Sequence, residues 1–207
     1  MSDMNRSFAG SMPEYYDRIL VPVMFEPFAR DLAARLQEMK SGHVLELAAG
    51  TGIVTRALAQ TLRPDVAITA TDLNPAMLDR AKSHPGLERV RWREADALAL
   101  PFPDRLFDCA VCQFGVMFFP DKRVAFREAL RVLRPGARFL FSVWGHREGS
   151  VWEVATNVVG ELLSRDPASL VSPAYNDVAV VHADLSAAGF GSITDEDVIK
   201  LTHSSSA

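Results

Sequence analysis

The residues with chemical potential in this 207-residue chain fall mainly between positions 46 and 113. Glu46-Leu47-Ala48-Ala49-Gly50-Thr51-Gly52 joins an apolar run to a helical pattern. Glycines at such a junction allow close approach of a ligand to the backbone and adopt conformations that a Cβ resists. The unpaired N–H groups at a helix start suit a carboxylate or a phosphate. Asp72 closes the next apolar run, 20 residues beyond Gly52. A carboxylate there can accept both hydroxyls of a ribose. Asp96 closes a third run and precedes Ala97, small enough for a flat ring to lie against it. A Gly-rich turn alone also fits a plain βα connection, and a single Asp also fits a solvated cap. All three in order point to a nucleoside-bearing ligand.

Positioning these residues takes alternating strands and helices. Glu14 to Lys40 reads as one helix, with Phe25, Phe28, Leu32, Leu36 and Met39 on a single stripe and Ser41-Gly42 as its stop. The first dozen residues read as a loose arm. His43–Ala49 is apolar almost throughout, as a strand buried on both faces should be. A helix follows over Ile53–Leu62, then a β-branched strand over Val66–Thr71. Asn74-Pro75 caps and opens a helix through Lys82, and Val90–Ala95 is a third strand. Phe107–Phe114 is a fourth strand, and Asp121–Leu133 a helix with Val124, Leu130 and Leu133 inward. Ala137–Trp144 is a fifth strand, Val151–Leu163 and Asn176–Ala188 are helices, and Ser192–Leu201 is a sixth strand. Strands separated by helices pair in parallel through right-handed crossovers. The expected fold is therefore α/β, a Rossmann-like, doubly wound, mostly parallel sheet with its ligand at the C-terminal strand ends. The organisation expected is an N-terminal helical arm or lid over residues 1–40 and a nucleotide-fold domain over 41–207.

Four segments together carry a resemblance. Val44–Gly52, Ala70–Leu78, Glu94–Phe102 and Leu133–Phe139 resemble, in order and spacing, the four successive motifs of class I S-adenosylmethionine-dependent methyltransferases. The nearest group in pattern is the ubiquinone/menaquinone C-methylase type, and the likeness runs from about Met12 to Phe190. The resemblance implies S-adenosyl-L-methionine as cofactor and S-adenosyl-L-homocysteine as product. It implies that Glu46 and the Gly50-Thr51-Gly52 turn, with Ala48, hold the methionine part. It assigns the ribose hydroxyls to Asp72, adenosine packing to Leu73 and Met77, and the adenine amino group to Asp96 with Ala97 beside it. Gln113 would lie near the methyl group and the acceptor. Ala48 is a departure, because many members carry glycine there. The family sheet has seven strands, and no segment here reads as the seventh. The expectation is a C-terminally shortened domain whose open sheet edge favours a homodimer.

Methyl transfer from a sulfonium relies on alignment of donor and nucleophile. A base is needed only for an acceptor that loses a proton. The candidates are Gln113, Tyr16 (or Tyr15) and His146, the last equally readable as a surface loop histidine. Cys109-Ala110-Val111-Cys112 has redox or zinc spacing, but residues three apart on a strand face opposite ways, so both read as structural. Phe114, Val116, Met117, Phe118 and Phe119 read as core or as the wall of a pocket for an apolar or aromatic small-molecule acceptor. Asp108 opens its strand, away from the ligand end.

The remaining classes are narrowed by composition. At 48% apolar and 23% charged residues the chain can bury a core without staples. A net charge of −4 with no basic run argues against nucleic acid. No apolar stretch is long enough for a bilayer span, and two cysteines do not make a disulfide scaffold, so a cytoplasmic protein is expected. Two other readings compete: a non-catalytic cofactor-binding or interaction domain, and an NAD(P)-dependent oxidoreductase. The latter is disfavoured by Thr55 at the third glycine position of the dinucleotide fingerprint.

Overall fold

A computed structural model describes residues 16–145, 150, 153–154, 156–158, 161 and 175–201. Its centre is a five-stranded parallel sheet of order β3-β2-β1-β4-β5. The strands are β1 (Gly42–Glu46), β2 (Val66–Asp72), β3 (Val90–Glu94), β4 (Phe107–Gln113) and β5 (Leu133–Ser142). A π-helical segment (Tyr16–Phe25) runs into α1 (Glu26–Ala34). The other helices are α2 (Ile53–Thr61), α3 (Pro75–Lys82), α4 (Lys122–Val132) and α5 (Val178–Ala188).

Both faces of the sheet are covered, as the apolar strands require. Val44, Ile68, Cys109 and Val111 pack with Ala29, Leu32, Val54 and Leu58 on one face. Leu45, Ala110 and Cys112 pack with Phe25, Phe126, Ala129 and Leu185 on the other. Neighbours 44 and 45, like 111 and 112, thus go to opposite sides, as the period of two demands. Each fully buried leucine such as Leu45 contributes roughly 1.5–3 kcal/mol relative to exposure. A register shift between Phe107 and Cys109 lets Phe107 join the same face as Ala110.

The strand order reverses between β1 and β4, which are parallel paired neighbours although three strands apart in sequence. Their carboxyl ends therefore splay a crevice, the place where such sheets bind ligands. Glu46 ends β1 and Gln113 ends β4, so both stand at that crevice.

Several boundaries differ from expectation for definable reasons. The helix expected over 14–40 divides at Phe25, where Pro27 opens a new helix, and it ends at Ala34, with turns carrying Leu36 and Met39. β5 begins at Leu133, not Ala137, because the chain passes directly from α4 into pairing with Phe107. The buried stripe of α4 is Ala125, Phe126, Ala129 and Val132, with Val124 and Leu130 only half-buried; the two alanines let the helix approach its neighbours closely. The caps agree with the sequence: Asn74 accepts from Ala76 N at 3.0 Å, and Gly189 closes α5 in the left-handed conformation.

The sixth strand expected over Ser192–Leu201 is not a strand. Its charged run is held by side chains instead. Glu196 pairs with Arg35, Asp195 with His182 at 2.9 Å and Lys200 with Asp31 at 2.7 Å, while Ile199 stays 84% exposed. Among the described residues β5 is therefore an edge strand with β4 as its partner. Of the helix expected over 151–163, positions 153, 154, 156–158 and 161 are helical and the others lie outside the described residues. Among the described residues no helix is long and apolar enough to cross a membrane.

Candidate functional site

The turn after β1 is built from backbone conformations that favour glycine. Gly50 (φ +56°) and Gly52 (φ +81°) are both left-handed, and Gly52 is the N-cap of α2. Ala48 is left-handed as well (φ +53°), which explains why glycine suits that position. The Ala48 methyl lies where Gly115 leaves room: a Cβ on Gly115 would come within 2.6 Å of it. A Cβ on Gly50, by contrast, would meet nothing within 4 Å, so that side of the turn faces open space.

Asp72 fixes the turn from the neighbouring strand. Its Oδ2 accepts from Gly50 N at 2.7 Å and its Oδ1 from Asn74 N at 2.8 Å. Burial raises its pKa above the ordinary carboxylate value, against the pull of those N–H donors. Glu46 lies deeper, at 2% exposure, and its Oε2 accepts from Thr55 Oγ1 at 2.6 Å. Burial, partly offset by Thr55, pushes the Glu46 carboxyl up to about 8.

These groups enclose a cavity of about 340 Å³, counted to its open mouth. Phe25, Glu46, Ala48, Gly50, Thr51 and Gln113 are among its walls. Two polar atoms of the wall, Thr51 Oγ1 and Gln113 Oε1, are buried with no hydrogen-bond partner. Unpaired buried polar atoms cost roughly 1–3 kcal/mol each, so a site that leaves two of them is built to receive complementary groups. A buried carboxyl facing a cavity suits an ammonium, and the open glycine side suits a carboxylate. The wall thus fits the amino-acid end of S-adenosylmethionine.

The sequence-predicted residues divide into those the cavity gathers and those it does not. Glu46, Ala48, Gly50, Thr51 and Gln113 line it, and Asp72 reaches it through Gly50. Gly52 instead packs against α3, where a Cβ would sit 3.0 Å from that of Ala81. Leu73 is 45% exposed and Met77 buried. Asp96 is exposed, with Oδ1 accepting from Leu98 N at 2.9 Å; neither it nor the buried Ala97 is part of the cavity wall. Tyr16 begins the π-helical segment, and its side chain, like Tyr15 and His146, lies outside the described residues.

Cys109 and Cys112 are buried and unlinked, on opposite faces of β4. Burial pushes their thiols up to about 11 and about 12, which makes them inert. Asp108 is at the far end, accepting from His43 N at 2.8 Å and pairing with Arg134. In the aromatic run, Phe114, Val116 and Met117 are core. Phe114 stacks on Trp144 at 3.8 Å, with Phe25 and Phe28 edge-on to both, so an aromatic cluster adjoins the cavity at Phe25.

Sequence reasoning expected an N-terminal arm or lid over residues 1–40 but missed the contacts that fasten residues 16–25 beside this site. Gln113 Nε2 donates to Phe25 O at 3.1 Å. Asp17 is buried against Arg56, Arg80 and His84. The four-residue spacing of Arg80, in the last turn of α3, and His84, just beyond its end, was the available hint.

Residues 44–136 match a family described as a methyltransferase domain. The chain is 31% identical over 150 residues to the ubiquinone/menaquinone biosynthesis C-methyltransferase UbiE of Saccharophagus degradans, covering 66% of this chain and 60% of the relative. It is 36% identical over 137 residues to a demethylmenaquinone methyltransferase of Deinococcus radiodurans, covering 64% and 56%. It therefore spans less than two thirds of the length of these curated relatives. Among solved structures, the YcgJ protein of Bacillus subtilis superposes with a TM-score of 0.60 at 29% identity, over 78% of this chain and 68% of that one. A Haemonchus contortus phosphoethanolamine N-methyltransferase in complex with S-adenosylhomocysteine shares the fold, with a TM-score of 0.68 at 19% identity over 90% of this chain and 43% of that one.

Proposed function

We propose, from the match of residues 44–136 to a family described as a methyltransferase domain, that the chain transfers a methyl group from S-adenosyl-L-methionine to a small apolar or aromatic acceptor. The observation that carries this reading is the cavity at the β1/β4 crevice, with a buried carboxyl, an open glycine turn and two unpartnered polar atoms on its wall. Glu46 takes the cofactor's ammonium, and the Gly50-Thr51-Gly52 turn its carboxylate. Asp72 accepts from the ribose hydroxyls while keeping its bonds to Gly50 and Asn74. Leu73 and Met77 pack the adenosine, and Asp96 and Ala97 receive the adenine. When bound, the sulfonium supplies an electrophilic methyl group and its own leaving group.

The chain's task is then alignment and exclusion of water. Gln113 orients groups at the methyl end, and the neighbouring aromatic cluster favours an apolar acceptor. Tyr16 and His146 remain the proposed bases for an acceptor that must lose a proton. The names of the C-methylating relatives support a small-molecule acceptor. The free, buried cysteines suit a reducing compartment and support a cytoplasmic location. Among the described residues β5 has one unpaired edge, which supports association of two copies.

The test is incubation with S-adenosylmethionine and a panel of phenolic and apolar aromatic acceptors, following S-adenosylhomocysteine formation. Acceptor-dependent product supports the reading. Cofactor binding with no transfer to any acceptor supports a non-catalytic binding domain instead.

A further inference from the structure

At the carboxyl ends of two adjacent strands stand two buried polar atoms without a hydrogen-bond partner, Gln113 Oε1 on β4 and Ser142 Oγ on β5. Gln113 and Ser142 are register partners in this parallel pair. Their side chains therefore leave the sheet on one face, on strands about 4.8 Å apart. It is the face of Val111 and Leu140, on which α1 packs. Glu46, the register partner of Val111, shares it. Gln113 Nε2 is spent on Phe25 O at 3.1 Å, which turns the amide so that the carbonyl oxygen is the atom left over. Two residues beyond Ser142, the Trp144 ring stacks on Phe114 at 3.8 Å, with Phe25 and Phe28 edge-on to both. Phe114 directly follows Gln113 and holds a left-handed φ of +52°, a conformation that a bulky side chain resists. Strain of this kind gathers at ligand sites.

We propose that Ser142 and Gln113 together hold a hydroxyl group of the methyl acceptor, whose apolar body lies against Phe25 and Trp144. This rests on the methyltransferase reading of the cavity and adds to it the acceptor's polar group. A carbonyl oxygen only accepts, so Gln113 Oε1 calls for a donor. The Ser142 hydroxyl, left without an acceptor, has a proton to give. The group that answers both donates and accepts through one small atom. A hydroxyl does so; an ether, a carbonyl or an ammonium does not. Two unpaired polar atoms are a cost to the fold, which a ligand that pairs with them offsets. Gln113 is also part of the cavity wall, so a hydroxyl held there is next to the methyl end of the cofactor. The role of Ser142 is alignment, and no bond to its oxygen forms or breaks.

The experiment is a ligand-observed NMR titration of phenol, anisole and toluene against the full chain saturated with S-adenosylhomocysteine, for wild type and Ser142→Ala, with the unfolding midpoint of each. Phenol donates and accepts, anisole only accepts, and toluene does neither. Wild type is expected to bind phenol about tenfold more tightly than toluene, with anisole between them. In Ser142→Ala the advantage of phenol should shrink to about threefold. The midpoint should hold or rise, because the substitution removes an unpaired hydroxyl. A midpoint that falls shows that the hydroxyl serves the fold, and overturns the proposal. So do absent phenol binding, equal binding of phenol and toluene by wild type, anisole that matches phenol, or a phenol advantage that Ser142→Ala leaves intact. The comparison of the three probes on wild type needs no variant. Wild-type protein that binds no S-adenosylhomocysteine overturns the methyltransferase reading itself, whereas loaded protein blind to the hydroxyl overturns the Ser142 assignment alone.

Discussion

On the proposed reading, Glu46 ties binding to protonation. Its carboxyl is pushed from 4.5 up to about 8 by burial, so near neutral pH the ligand-free protein holds the proton. An ammonium partner needs the carboxylate. Affinity for S-adenosylhomocysteine should therefore climb roughly tenfold per pH unit from pH 6 toward 8 and level off above. Calorimetric titrations across that range check the slope, and Glu46→Gln should bind weakly with a flat profile. The same shift acts on stability with a definite sign. The folded state keeps a proton that the unfolded chain releases between about 4.5 and about 8. The stabilising contribution is complete below 4.5 and is lost as pH rises through 8. Glu46→Gln should thus unfold at a higher temperature than wild type at pH 8, a gain of about 1–3 kcal/mol. The position of Glu46 at a strand end was legible from Glu46–Gly52 in the sequence. The burial of Asp17 was not, because nothing local distinguishes a buried carboxylate from a solvated one on a helix.

Within the elements, the two turn glycines do different work and separate cleanly by substitution. Gly52→Ala would force a left-handed alanine and place its methyl 3.0 Å from Ala81, and should cost roughly 2–4 kcal/mol in thermal unfolding. Gly50→Ala meets no protein atom within 4 Å and should cost only the left-handed strain, about 1–2 kcal/mol. Its methyl projects into free space at the cavity, so it should lose cofactor affinity out of proportion to stability. Equal losses in both variants would contradict that division. The five strands of the sheet were legible because a strand buried on both faces reads as an apolar run, and the helices between them because of their apolar spacing and, for α3, the Asn74-Pro75 cap. Ser192–Leu201 misled because its Ile193, Ile199 and Leu201 share the parity of a strand face, whereas its ion pairs hold it to α1, α5 and Arg35. The inward stripe of α4 was misjudged because alanines 125 and 129 weigh little in an apolar pattern yet occupy the contact.

For the whole molecule, the doubly wound sheet accounts for where the site must be, at the β1/β4 reversal, and the sequence order of the motifs made that legible before any geometry. Among the described residues it also leaves β5, ten residues long, as an edge. Light scattering over a wide concentration range should show a dimer growing with concentration; a monomer throughout would contradict pairing through that edge. The central claim, that the crevice is an S-adenosylmethionine site, is tested most directly by calorimetric titration with S-adenosylhomocysteine, with NAD as control, on wild type and Asp72→Ala. The account predicts binding of S-adenosylhomocysteine alone, weakened roughly ten- to a hundredfold in a folded Asp72→Ala. A folded wild-type protein that ignores S-adenosylhomocysteine, or that takes NAD in its place, would contradict it.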